Sequence, residues 1–263
     1  MSVFKLFRVV LLLSILAAIV YGTWSTEKQM ASWDRPILVT VYPIAADGKK
    51  STLAYARGLD ADSFRPVNDF FRQQSGPYGF TVTPPFRFQV APVSKERPPA
   101  VPQQFNTAEI AWWSLKMRAW SWLQARRDGL ISADIQVFLL LHSLNGLTEM
   151  GISVGMRKGR YGVIKAIAKD SQAQHNFVVF THELLHVLGA TDKYVLSTGE
   201  PIYPHGYADP DQSPLFPQER AEIMGGAIPI NAYSSRLPDS LQECRIGRLT
   251  AQEIGFWGKL TEF

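Results

Sequence analysis

The side chains best suited to chemistry lie in one stretch, Thr181-His182-Glu183-Leu184-Leu185-His186-Val187-Leu188-Gly189-Ala190-Thr191-Asp192. His182 and His186 are four residues apart. On a helix that spacing puts both imidazoles on one face, about 6 Å apart at their Cβ atoms, so both reach a single metal ion. Imidazole nitrogens are borderline-soft donors that suit zinc, and Glu183 leans over the same face without being a ligand, placed to act as base for a metal-activated water. Gly189 can take the left-handed conformation that ends a helix. The chain then folds back and aims Asp192 at the same point as a third ligand.

The long motif HExxHxxGxxH of the zinc proteases called metzincins is matched at His182, Glu183, His186 and Gly189. The third-ligand position holds Asp192 instead of histidine, so the stretch resembles the His-His-Asp variant of snapalysin-like metzincins. The resemblance covers about a dozen residues and one methionine. It implies a zinc-dependent endopeptidase with one Zn2+ on His182, His186 and Asp192 and with Glu183 as general base. The implied fold is α/β (α+β): a mixed twisted sheet packed on long helices, the zinc helix among them, with a loop-rich C-terminal part. Metzincins carry a methionine in a tight turn beneath the metal. Met224, before Gly225-Gly226 and 32 residues beyond Asp192, is similar in placement. Some members add a tyrosine two residues after that methionine, which this chain lacks. Tyr194, Tyr203, Tyr207, His205 and Tyr233 remain open as groups that could stabilise an oxyanion.

Other readings stay open. In gluzincins the third ligand is a downstream glutamate, which would be Glu219 or Glu222, but this leaves Gly189 and Asp192 unexplained. A membrane-tethered, non-catalytic zinc protein is a second alternative, although a structural site has no need of Glu183. A third is hydrolysis of a non-protein amide such as one in cell-wall peptide.

Elements must hold these residues in place. Ile37-Leu38-Val39-Thr40-Val41-Tyr42 predicts a strand over 36–44, turned at Asp47-Gly48. Phe64, Val67, Phe70 and Phe71 predict a helix over 60–74, stopped by Ser75-Gly76-Pro77. Residues 86–93 read as a strand and the proline-rich 94–102 as a loop. A long helix is expected over 107–127, with Ile110, Trp113, Met117, Trp120 and Leu123 as its core stripe. Residues 135–141 read as a central, doubly covered strand, with His142 ending it. A turn at Arg157–Arg160 precedes a strand over 163–168, expected at the sheet edge. That edge strand is the candidate for pairing with a substrate backbone, as the metzincin plan implies. The zinc helix is expected over 172–188. Residues 193–219 are loop-like and proline-rich, and a long irregular segment beside a site is usually functional.

The 263 residues, 46% hydrophobic and 19% charged, are those of an ordered globular chain. The net charge of +4 comes without a dense Lys/Arg patch, so nucleic acid is not an expected partner. Lys5 and Arg8 precede an apolar run from Val9 to Tyr21, a positively charged start followed by a membrane-targeting segment. As a helix, Val9 to Trp24 spans about 24 Å against a hydrocarbon core of about 30 Å. Residues 1–24 therefore read as a signal anchor or a signal peptide, 25–35 as a juxtamembrane linker, and 36–263 as the metallopeptidase domain, divided at Gly189 into 36–189 and 190–263. The main domain is expected to be exported, anchored in a bacterial inner membrane or secreted if the segment is cleaved. Its expected partners are a peptide substrate and the membrane. Cys244 is the only cysteine, so no intrachain disulfide forms and the thiol reads as a small buried hydrophobe.

Overall fold

The strand Ile37–Ala45 (β1) is buried on both faces along almost its whole length, as its β-branched sequence requires of a central strand. The computed structural model describes residues 7–8, 10, 13–14, 32–79, 83–94, 96–100, 102, 106–131, 133–144, 153–157 and 159–256. The targeting segment expected over 1–24 falls almost wholly outside them. Among the described residues no helix is long and apolar enough to cross a membrane.

After β1 comes a short helix, Lys50–Arg57 (α1), that the hydrophobic periodicity does not announce, because it buries only Thr52 and Ala56. A 3₁₀ turn at Asp62–Phe64 leads into Arg65–Ser75 (α2), which buries Val67, Phe70 and Phe71. Phe86–Val90 (β2) follows. The helix Thr107–Asp128 (α3) is opened by Asn106, whose Oδ1 accepts the Glu109 N–H at 2.8 Å, and is closed by Gly129 at φ 60°. Next are Ile135–His142 (β3), Val154–Met156 (β4), Tyr161–Ile167 (β5) and the helix Ala173–Leu188 (α4). The remainder is loop-rich, with the small pairs Ala221–Glu222 (β6) on Cys244–Arg245 (β9) and Ile228–Asn231 (β7) on Ser234–Arg236 (β8), and a last helix Arg248–Glu253 (α5).

The fold is mixed α/β, with one sheet of order β2-β1-β3-β5-β4. All its pairs are parallel except β4 on β5. This corrects one expectation. The strand predicted as the edge, 163–168, is β5, which lies inside the sheet between β3 and β4; the edge is the three-residue β4. Three residues carry too little alternation to be read as a strand in advance.

Side-chain alternation divides the sheet into two faces. Val39, Val41, Val137, Leu139, Leu141, Ile164 and Ala166 meet α2 and α4 in the larger core. Tyr42, Phe138, Tyr161 and Val163 meet Trp113 and Met117 of α3 on the opposite side. The larger core continues into the C-terminal part through Ile223, Met224, Cys244, Ile254 and Phe256, so the two parts divided at Gly189 share one interior. It also reaches back into the segment expected as linker. Trp33 is buried against Phe71, Phe86 and Phe256, and its indole N–H donates to the Ile254 carbonyl at 2.7 Å. Cys244 is buried and unpaired; burial pushes its thiol up to about 12, which makes it inert.

Candidate metal centre

α4 carries His182 and His186 one turn apart, with ring centroids 4.8 Å from each other. Gly189 ends the helix at φ 116°, and its N–H bonds the carbonyls of Leu185 and His186. The chain then reverses and brings Asp192 back beneath the two rings. His182 Nε2, His186 Nε2 and an Asp192 carboxylate oxygen all lie within 4.8 Å of one another. Asp192 Oδ1 stands 3.3 Å from His182 Nε2 and 3.1 Å from His186 Nε2.

The far nitrogen of each ring fixes its proton. His182 Nδ1 lies 2.9 Å from the Ile223 carbonyl and His186 Nδ1 lies 2.9 Å from the Ala190 carbonyl. A carbonyl can only accept, so both protons belong on Nδ1 and both Nε2 atoms present bare lone pairs. Three acceptors therefore converge. With both imidazoles neutral in this tautomer, neither facing nitrogen is a donor to Asp192 Oδ1, which is buried with no hydrogen-bond partner. A cation placed between them would satisfy all three. Ligands about 2.05 Å from a tetrahedral zinc stand about 3.3 Å apart, close to the two His–Asp separations. The donor set, two neutral imidazoles and one carboxylate, fits zinc with a position left open. Burial would lower His186, but Asp192 and the Ala190 carbonyl overcome it and raise its affinity for a proton, while Asp192 itself is held well below the usual carboxylate range by the two imidazoles.

Glu183 is buried, and Oε2 of its carboxylate has no partner. Burial pushes its carboxyl above the ordinary range, opposed by the two histidines and by the N–H of Gly155, which bonds the carboxylate. Gly155 sits in edge strand β4, so the edge of the sheet and α4 touch at Glu183 itself.

The segment bearing Asp192 is clamped from both sides. Lys193, only 4% exposed, sends Nζ to Glu253 Oε2 at 2.7 Å, to the Thr191 carbonyl at 2.6 Å and to Thr191 Oγ1 at 3.0 Å. Glu253, at the end of α5, also accepts the Thr191 hydroxyl at 2.6 Å and the Thr191 N–H at 3.1 Å. The Lys193 N–H donates to the Met224 carbonyl at 2.8 Å. Met224 is fully buried in a turn closed by the Gly225 and Gly226 N–H groups on the Glu222 carbonyl. Its neighbour Ile223 is the residue that holds His182. The turn therefore supports both a histidine and the aspartate strand.

Glu222 has another task. Its buried carboxylate accepts the Gly225 N–H at 2.8 Å, the Gly247 N–H at 3.0 Å and the Thr250 hydroxyl at 2.7 Å. It lies outside the metal cluster, and Glu219 is exposed, so neither completes a gluzincin-type ligand set. His142 is buried at the end of β3, also outside the cluster. Of the open oxyanion candidates, only Tyr194 is at the centre. Its ring lies 6.3 Å from that of His182, its hydroxyl bonds Asp192, and burial together with the Asp192 and Glu183 charges pushes it up to about 12. Tyr203 and Tyr207 pack on each other, and Tyr233 is 94% exposed. No sequence signal singled out Tyr194 beyond its place two residues after Asp192. No family model matches the chain, and no curated protein matches it in sequence.

Proposed function

We propose that this chain is a zinc-dependent endopeptidase of metzincin type, with His182, His186 and Asp192 holding one zinc ion and Glu183 as general base. The observation that carries this is the convergence of three part-buried acceptor side chains, with the atom Asp192 Oδ1 buried and without a hydrogen-bond partner, beside a buried carboxylate whose Oε2 is also unpartnered. When bound, zinc would supply Lewis-acid polarisation of the scissile carbonyl and acidify water.

The remaining steps belong to the protein. Glu183 Oε2 takes the proton of the water that attacks the carbonyl, then gives it to the departing amine. Its raised pKa brings it nearer to neutrality, where a base that must also act as an acid works best. Tyr194 stays a phenol throughout the physiological range and can donate to the oxygen that becomes negative. β4 offers an extended substrate its outer edge, the only sheet edge beside Glu183 and His186 among the described residues.

The test is hydrolysis of a mixed peptide library by the full chain loaded with zinc, with Glu183→Ala as control. Cleavage by the native chain and not by the variant supports the reading. One zinc bound to each, with no cleavage by either, would favour the non-catalytic zinc protein.

A further inference from the structure

α3 is apolar on two sides. Its inner side packs Trp113 and Met117 on the sheet and sets the Trp120 ring 4.8 Å from that of Phe138. Its outer side should then be polar, and it is not. Trp112 is 60% exposed, Leu115 57%, Trp122 53% and Leu123 46%. Leu123 had been expected inside and faces water instead. Steps of three and four residues place Trp112, Leu115, Ala119 and Trp122 in one stripe along the helix, with Leu123 beside it. Cations border that stripe. Lys116 stands at one margin and Arg118 at the other, and the Arg126 guanidinium lies 4.1 Å over the Trp122 ring. Apart from Asp128 in the last turn, the only acidic residue of the helix is Glu109 in the first.

We propose that this face of α3 docks on an anionic lipid surface. Two exposed tryptophans and two leucines bordered by lysine and arginine form the pattern of a helix lying in a membrane interface, where indole rings sit at headgroup level. Charge selects the occupant. Two copies of the face laid together would bring Lys116 and Arg126 against the same cations, whereas an anionic lipid surface neutralises them. The same chain also carries the Lys5–Arg8 start and the apolar run to Tyr21, the sequence pattern of a membrane-targeting segment. Among the described residues α3 is the only helix packed on its side of the sheet, and α4 lies on the other. Docking through α3 thus leaves the metal centre facing away from the lipid. The proposal is independent of whether that centre is catalytic.

Each cation held at an anionic surface is worth about a fivefold gain in partitioning, so Lys116 and Arg126 together give roughly a twenty-five-fold preference for anionic over neutral lipid. The test places a nitroxide on the full chain at Ala119→Cys, in the middle of the stripe; Cys244 is buried and stays unlabelled. The labelled chain is reconstituted in vesicles of phosphatidylcholine alone or of phosphatidylcholine with phosphatidylglycerol. Power saturation with oxygen and with a water-soluble nickel chelate reads where the label sits. The N-terminal segment, with its own Lys5 and Arg8, is the same in the native chain and in Lys116→Glu/Arg126→Glu, so a difference that this variant abolishes belongs to α3. The expected result is a label shielded from nickel and open to oxygen on anionic vesicles only, returned to water by high salt and by Lys116→Glu/Arg126→Glu. A label in water on both lipids, or equally shielded on both, overturns the proposal. So does spin–spin broadening that grows with the protein-to-lipid ratio, which identifies a second copy as the occupant.

Discussion

Gly155 of the edge strand lies so close to Glu183 of the metal helix that a Cβ at position 155 would overlap the Glu183 carbonyl oxygen and stand 2.8 Å from Cβ of His186. The same glycine gives its N–H to the Glu183 carboxylate. One backbone position thus sets the spacing between the edge strand and Glu183.

Gly155→Ala is therefore expected to push β4 off α4. Overpacking of this kind costs about 1–3 kcal/mol, or about 2–12 °C in Tm for a domain of this size. Peptide turnover should fall at least about tenfold, because the base loses its donor and the edge loses its register. Unchanged Tm and turnover would show that the strand is free to move.

Glu253→Gln tests the clamp on the aspartate. The variant keeps the shape of the side chain and removes the charge facing Lys193, which is buried. Outer groups that orient ligands typically affect metal affinity by about 10–100-fold. Zinc affinity measured by chelator competition should weaken within that range. The double variant Lys193→Met/Glu253→Gln should recover stability by removing the stranded cation, yet not recover zinc affinity. Recovery of both would mean the clamp acts only on folding.

Glu222→Gln separates support from ligation. The carboxylate holds the methionine turn to Gly247 and Thr250. Hydrogen bonds to a charged group are worth about 1.5–3 kcal/mol each, so the variant should melt several degrees lower and still bind one zinc. Loss of zinc at an unchanged Tm would make Glu222 a ligand.

Tyr194→Phe removes the one phenol beside Asp192 and Glu183. If it donates to the developing oxyanion, kcat should fall by about 10²–10³-fold, with zinc affinity within about twofold of the native value. An unchanged kcat would remove Tyr194 from the reaction.

Asp47 gives a pH signature far from the metal. Burial raises its carboxyl, but the Lys49 N–H at 3.0 Å, the Ser143 N–H at 2.7 Å and the Thr52 hydroxyl at 3.0 Å overcome it and hold it at about 2, below the ordinary 3.8. The folded value lies below the unfolded one. The stabilisation is therefore complete above about pH 4 and is lost as pH falls through about 2. Asp47→Asn should melt below the native chain at neutral pH, and the gap should close on acidification through that window. A gap that persists to pH 2 would mean the ionised carboxylate is not what stabilises.

The local part of the site was legible in the chain. The spacing of His182, Glu183 and His186, the helix-ending Gly189 and the position of Asp192 are all set within eleven residues, where helical geometry alone decides what faces what. Strongly apolar stretches such as β1 and β3 announced themselves in the same way, since a strand covered on both faces must be apolar throughout. Elements that bury little did not. α1 hides two small residues, and β4 is three residues long and gains its place only by pairing with β5. The groups that orient the site come from further away: Ile223 for His182, Glu253 for Thr191 and Lys193, and Gly247 and Thr250 for Glu222 of the methionine turn. Those partners lie 41 to 62 residues away from His182, Thr191 and Lys193. No periodicity spans such a gap, because it is closed by packing of the C-terminal part into the common core and not by any local rule. The outer face of α3 shows the same limit. Its tryptophans and leucines fall on more than one side, and only the placement of the sheet decided which were covered and which were left in water.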